Sequence, residues 1–124
     1  MITELGKVLR KLRIEQDERL FDMSKRIGKS SAFISAVERG DKNPPSGFEE
    51  LVISAYGLVG DVADTLRTTA DASRKAFTIE PKSMLERDTI GLMARRMNSN
   101  MNTLSASELE DILAILRKKE SSDE

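Results

Sequence analysis

The chain has 124 residues, of which 39% are apolar and 33% charged, enough for one compact domain or for a small domain with an oligomerising appendage. It contains no Cys and no His, which excludes disulfides, thiolate zinc sites, cysteine nucleophiles and His-dependent triads. Twenty basic against 21 acidic residues give a formal net charge of −1, which at first argues against a nucleic-acid partner.

Apolar residues at helical spacing predict three helices in the first part of the chain. The first helix is expected from Thr3 to about Glu15. The second is short and ends at Gly28, a residue type suited to a left-handed C-cap. Ser30 is placed to cap a third helix, which is expected to end at Gly40.

Two more helices are expected after the prolines at 44–45, since consecutive prolines cannot continue a helix. Ser46 and Glu49 have the spacing of a capping box at the start of the fourth helix, which is expected to end at Gly57. The fifth helix is expected over residues 61–74.

The last third of the chain begins with an alternating, β-prone run at residues 77–80, which predicts either a linker or a short β strand that pairs with another copy. A helix is then expected from Ser83 to about Met97. Another is expected to start at Ser105, whose hydroxyl can reach the Glu108 amide while Leu104 packs against Leu109. The predicted organisation is a domain over 1–76, a linker or strand over 77–82, a helical region over 83–120 and a disordered tail over 121–124.

The segment from Leu20 to Gly40 resembles the helix-turn-helix of the lambda-repressor-like (Cro/XRE) family of bacterial and phage DNA-binding regulators. Such a motif needs a small residue where its helices cross, a turn, a cap and apolar residues between the helices. Ser24, Gly28 and Ser30 meet the first three requirements. The apolar positions are Met23, Ile27, Ile34 and Val37.

The resemblance extends over about residues 3–70. Arg13 and Glu38 match the positions of the family's buried Arg–Glu pair, and Asn43 with the two prolines matches the loop after the recognition helix. The chain departs from the family pattern at Ser24, where Ala is more usual, and at Lys29, where an apolar residue is commoner. The fold implied is all-α: a five-helix DNA-binding domain followed by a helical hairpin.

The resemblance implies that the helix over 30–39 enters the major groove of double-stranded DNA while neighbouring residues hold phosphates. The outward side chains are mostly small, so base recognition is expected to rest on serine hydroxyls, methyl contacts to thymine and DNA shape. The base-contacting candidates are Ser31, Ala32, Phe33, Ser35, Ala36 and Arg39. The phosphate-contacting candidates are Arg19, Lys29, Ser30, Lys42, Asn43 and Ser46, and Arg39 is a candidate for phosphate contact as well.

The net charge near zero argues against a nucleic-acid partner, but the distribution of charge along the chain is compatible with one. Residues 1–45 contain ten basic and seven acidic residues, a net charge of +3, whereas residues 46–124 have a net charge of −4. Local charge matters more than total charge for phosphate binding. The excess is modest, so useful affinity is expected to require two copies on a two-fold operator.

The two C-terminal helices have more apolar surface than a hairpin can bury alone. They are expected either to join two copies into a homodimer or tetramer, or to pack on their own domain. The oligomerisation candidates are Leu92, Met93, Leu109, Ile112, Leu113 and Leu116. An antirepressor or a toxin-like protein is a further expected partner of this region.

The resulting expectation is a repressor without enzymatic activity, with no catalytic residues, no cofactor and no metal. The alternative is an antitoxin-like protein that masks a toxin or antagonist through its C-terminal region and autoregulates its own operon. The residues after position 76 are too few for the self-cleaving peptidase domain of larger repressors. The chain begins with a charged amphipathic pattern rather than a signal peptide, and no run approaches a membrane span, so a cytoplasmic location is expected.

Overall fold

The computed structural model describes residues 1–122 and the side chains as far as Lys118. Within that range the chain is all-α and forms seven helices. They are α1 (Glu4–Glu15), α2 (Leu20–Ile27), α3 (Ser31–Arg39), α4 (Phe48–Tyr56), α5 (Gly60–Ser73), α6 (Met84–Met97) and α7 (Ala106–Ser122). The predicted tail at 121–124 overlaps the end of α7, and residues 123–124 lie outside the described residues.

The chain divides into two compact units, unit 1 over Met1–Thr78 and unit 2 from Ile79 onward. In unit 1, α1 packs against α3 and α5, α2 packs against α3 and α4, and α4 packs against α5. One buried apolar cluster joins all five helices. Its members are Leu5, Leu9, Leu12, Met23, Ile27, Ile34, Val37, Phe48, Val52, Leu66 and Ala70.

Local sequence signals fix most helix ends. Thr3 caps α1, because its hydroxyl accepts a hydrogen bond from the Gly6 amide at 3.0 Å. Gly28 and Gly40 end α2 and α3 with φ angles of 70° and 80°, in the left-handed region that glycine adopts without strain. The expected ends of the second and third helices are confirmed.

The helices of unit 2 also begin at side-chain caps. The Ser83 hydroxyl accepts from the Glu86 amide at 3.1 Å at the start of α6. At the start of α7, the Ser105 hydroxyl accepts from the Glu108 amide at 3.1 Å and the Glu108 carboxylate accepts from the Ser105 amide at 3.0 Å. The expected Ser105 cap is therefore confirmed, and the Glu108 carboxylate completes a capping box.

No strand forms among residues 1–122, so within the single chain residues 77–80 form a connection without secondary structure, as the linker alternative predicts. The other alternative, a strand that pairs with another copy, needs a second chain. One local prediction is wrong. Ser46 does not cap α4, whose N-cap is Gly47 with a φ of 84°. The Glu49 carboxylate that the capping box needed is bound instead by Arg74.

Candidate nucleic-acid interface

The candidate interface is built on the crossing of α2 and α3. The left-handed Gly28 turns the chain between the helices, and the Ser24 hydroxyl donates a hydrogen bond of 2.5 Å to the Lys29 carbonyl beyond the turn. Met23 and Ile34 fill the crossing and are fully buried. Apolar packing and a turn hydrogen bond therefore fix the angle at which α3 leaves α2.

The N-terminus of α3 is capped by Ser30, whose hydroxyl accepts from the Phe33 amide at 3.0 Å. Ser30 is exposed, but its oxygen is occupied by the cap. A phosphate at this end of α3 would find backbone N–H groups of the first turn, which a capped helix end still presents to solvent.

A buried ion pair holds the other end of α3 against α1. The Arg13 guanidinium lies 2.5 and 3.2 Å from the two Glu38 carboxylate oxygens, and both residues are buried. Arg10 donates to the same carboxylate at 3.4 Å, and the Thr3 amide and hydroxyl donate to the Glu38 carbonyl. Thr3, Arg10 and Arg13 thus all bind Glu38. These contacts hold the end of α3 against α1.

Close approach of α1 to α3 depends on Gly6. A Cβ atom at this position would lie 2.4 Å from the Glu38 carbonyl oxygen, closer than real Cβ contacts allow. The absence of a side chain here is therefore a steric requirement of the α1–α3 contact. No local pattern in the sequence indicates this requirement, because the obstructing atom lies on another helix.

The six base-contacting candidates differ in exposure. Ala32 and Arg39 are exposed, whereas Ser31, Phe33, Ser35 and Ala36 are half-buried. Two of them bind each other, since Arg39 Nη1 donates to the Ser35 hydroxyl. The side chains on this face are short, apart from Phe33 and Arg39.

Phe33 joins the core to the candidate interface. Its ring lies 6.0 Å from the Phe48 ring, centroid to centroid, at an interplanar angle of 50°. The ammonium groups of Lys29 and Lys42 lie 5.6 and 5.4 Å from the Phe33 centroid. The structure therefore brings together two phosphate candidates from opposite ends of α3 around one aromatic ring, in the geometry of cation–π contacts.

The other phosphate candidates are dispersed. Arg19 precedes α2, where its amide donates to the Asp22 carboxylate at 2.8 Å. Asn43 and Ser46 are exposed in the loop after α3. Within residues 1–118, no hydrogen bond or ion pair links these three side chains to the group around Phe33.

Asp41 is a neighbour of the candidate interface that the sequence analysis missed. Its carboxylate accepts a hydrogen bond of 3.0 Å from Arg39 Nε, and both side chains are largely exposed. Their separation of two residues, across the end of a helix, was the available signal. Asp41 therefore partly neutralises the charge of Arg39 at the end of α3.

Arg74 is a second missed residue. It is nearly buried at the end of α5, donates to the Pro44 and Pro45 carbonyls at 3.0 and 2.8 Å, and is paired with Glu49. Hydrogen bonds from Arg74 hold the pKa of Glu49 below its usual range. Arg74 thereby fixes the loop that carries Lys42, and its partners lie too far away in sequence for a local pattern to indicate them.

A third missed cluster fixes the start of α2. The Glu18 carboxylate accepts hydrogen bonds from the Tyr56 hydroxyl at 2.6 Å and from Arg26 Nε at 2.9 Å. The hydrogen bond from Tyr56 lowers the pKa of Glu18, and burial raises the pKa of the Tyr56 phenol. The Arg26 guanidinium lies over the Tyr56 ring, 4.5 Å from its centroid, so α2 and α4 are joined through the polar ends of these side chains.

The oligomerisation candidates lie on both helices of unit 2. Leu92, Leu109, Leu113 and Leu116 are exposed. Met93 and Ile112 are half-buried and line a groove between α6 and α7. A hydrogen bond of 2.6 Å from Arg96 to the Asn102 carbonyl and an ion pair of 3.1 Å between Arg96 and Glu108 close this hairpin.

Within residues 1–122, no cluster of three or more acidic side chains has the geometry of a metal site. None of the helices in the same range is long and apolar enough to cross a membrane.

No protein-family model matches the chain, and searches of curated proteins and of solved structures found no match.

Proposed function

We propose that the chain is a sequence-specific, DNA-binding transcriptional repressor of the lambda-repressor-like (Cro/XRE) type, which occupies a two-fold operator as a dimer or higher oligomer. The observation that carries the proposal is the α2–α3 pair, in which a capped helix presents small side chains outward and has lysines at both ends. The buried Arg13–Glu38 pair supports it, because this contact fixes α3 against α1.

In the proposed complex, the N-terminal half of α3 lies in the major groove. The Ser31 hydroxyl contacts base edges there, and Ala32 and the edge of Phe33 contact thymine methyl groups. Lys29 and Lys42 exchange their contacts with the Phe33 ring for contacts with phosphates on either side of the helix. Few side chains on this face can form bidentate pairs with bases, so DNA shape and deformability supply much of the specificity.

Two copies are needed because the first 45 residues of each copy carry a net charge of only +3. A two-fold dimer would place two copies of α3 about 34 Å apart, one turn of B-DNA. Bound across a promoter, such a dimer would block transcription by occupancy alone. The protein would need no cofactor and would catalyse no reaction.

Footprinting on the DNA around the protein's own gene tests the proposal. We expect protection of a two-fold symmetric site that persists with excess unrelated DNA. Protection that unrelated DNA removes at equal concentration, or no protection at micromolar protein, would contradict sequence-specific binding.

A second candidate function is that of an antitoxin-like protein, which the exposed apolar face of unit 2 favours. In that case the region over 83–120 masks a toxin or antagonist, and DNA binding regulates the protein's own operon. Co-expression with the product of the adjacent gene distinguishes the two. A stable complex that neutralises a toxic activity would favour the antitoxin; free dimers and a harmless neighbour would favour the repressor.

A further inference from the structure

Unit 2 leaves one side of α7 uncovered. In its described part no side chain is fully buried, and among the described side chains of α7 only Ile112, which lines the groove shared with α6, is half-buried. A hairpin of this size has no disulfide available to stabilise it, because the chain lacks cysteine. Small units of this kind usually gain stability by association.

The uncovered side of α7 carries a leucine stripe, defined by Leu109, Leu113 and Leu116. These residues follow the spacing i, i+4, i+7 and therefore lie on one face of the helix. Their exposed fractions are 38%, 45% and 61%. At about 100° per residue, the stripe lies roughly a quarter-turn around the helix from Glu108 and Ile112, which line the groove between α6 and α7.

Charge is segregated along α7. Residues 106–112 contain three acidic residues and no basic one, whereas residues 113–119 contain three basic residues and no acidic one. Glu110 and Arg117 are seven residues apart, two helical turns, and therefore lie on the same flank of the leucine stripe. The helix dipole favours this arrangement, since its field is positive at the N-terminus, where the acidic residues lie, and negative at the C-terminus, where the basic residues lie.

We infer that the leucine stripe is covered by α7 of a second copy, running antiparallel, with the two-fold axis beside Leu113. Reversing α7 about this point places Leu109 beside Leu116 of the partner subunit, so the stripe is complementary to itself. This pairing would supply the two copies that the proposed function requires, and its biological role rests on that function. The pairing itself requires no DNA.

The charges select the antiparallel direction. In an antiparallel two-fold pair, each flank of a helix meets the same flank of its partner. Glu110 then lies about 1.5 Å along the axis from the level of Arg117 of the partner subunit, and the reciprocal pair forms by symmetry. A parallel pair would instead place the acidic halves side by side and the basic halves side by side.

Charge reversal in the full-length chain, followed by sedimentation equilibrium without DNA, tests this pairing. Glu110→Lys and Arg117→Glu each replace two attractive contacts with two repulsive ones, so each is expected to raise the dimer dissociation constant about tenfold. The double variant Glu110→Lys/Arg117→Glu restores opposite charges across the interface and is expected to return the constant to within about twofold of the original.

Lys118→Glu is the matched control. It changes the net charge by as much as Arg117→Glu does, but Lys118 lies on the side of α7 opposite the leucine stripe, so its dissociation constant is expected to be unchanged. Added salt should weaken the dimer of the unmodified chain, because the flanking contacts are attractive.

Each other outcome overturns the inference. A monomer at tens of micromolar means that the stripe is covered by another part of the chain or by a different protein. A dimer insensitive to both single reversals uses another surface or a parallel arrangement. A dimer that behaves as expected but leaves no footprint would instead overturn only the proposed DNA-binding function.

Discussion

Arg39 and Asp41 are paired at the end of α3, with Nε of the arginine 3.0 Å from a carboxylate oxygen of the aspartate. The same guanidinium donates to the Ser35 hydroxyl one turn earlier. In the proposed complex, Asp41 therefore occupies the arginine that a DNA phosphate would otherwise contact. This relationship leads to the first prediction.

Asp41→Asn should strengthen DNA binding, because it frees Arg39 and removes a negative charge close to the DNA backbone. We expect about two- to fivefold tighter binding, the size of an exposed ion pair. Fluorescence anisotropy with an operator duplex measures it. Asp64→Asn makes the same charge change on α5, where Asp64 is paired with Arg67, and should leave affinity unaltered; an equal gain from both variants would show a general charge effect.

The second prediction concerns phosphate contacts. Arg39→Ala and Lys42→Ala should each weaken DNA binding and reduce the slope of log affinity against log salt by about one unit. Lys75→Ala, an exposed cation beyond the end of α5, should alter neither. A slope that stays the same in the Arg39 or Lys42 variant would remove that residue from the interface.

The third prediction concerns the buried pair. Glu38→Ala leaves the Arg13 guanidinium buried without its partner and should lower the free energy of unfolding by about 3 kcal/mol. Removing both charges, in Arg13→Met/Glu38→Leu, should cost less, because no unpaired charge remains. Thermal and urea denaturation measure both. If the single variant melts like the unmodified chain, the pair contributes nothing to stability.

The fourth prediction is a loss of stability in acid. Because Arg74 lowers the pKa of Glu49 in the folded state, the unfolded chain binds the proton more readily. The stabilisation is therefore complete above pH about 4.5, the ordinary value for this carboxyl, and is lost as the pH falls through the folded-state pKa. Glu49→Gln should be less stable at neutral pH and show a shallower decline between pH 5 and 3; parallel curves would exclude Glu49 as a source of the decline.

The fifth prediction is that unit 1 folds by itself and that residues 77–124 are needed for the dimer. The core of unit 1 lies entirely within residues 5–70, so deleting residues 77–124 should leave a folded domain with the melting behaviour of a single cooperative unit. Sedimentation should show a monomer, and operator binding should be much weaker than for the full chain. A truncated chain that remains dimeric would place the dimer contact in unit 1.

Prediction from sequence succeeded where the determining residues are close together in the chain. The helix ends at Gly28 and Gly40 and the caps at Ser30 and Ser105 depend on residues within one turn. The prediction of a cap at Ser46 was wrong, because Arg74, which lies 25 residues beyond Glu49, binds the Glu49 carboxylate that the local pattern assigned to the cap. An ion pair with a nearly buried guanidinium, made through two hydrogen bonds, is stronger than one hydrogen bond from a backbone amide at an exposed helix end.

The sequence by itself determined the helical class of this protein, the caps and turns that end its helices, and the placement of net positive charge in the first 45 residues. Only the tertiary structure decided that Lys29 and Lys42 meet at Phe33, that Arg74 holds the loop after α3, and that Asp41 engages Arg39. The physical reason is how far apart in the sequence the interacting residues lie. Backbone conformation follows from the few residues around each position, whereas ion pairs and steric contacts such as that of Gly6 with Glu38 depend on chain segments that meet only once the core has formed.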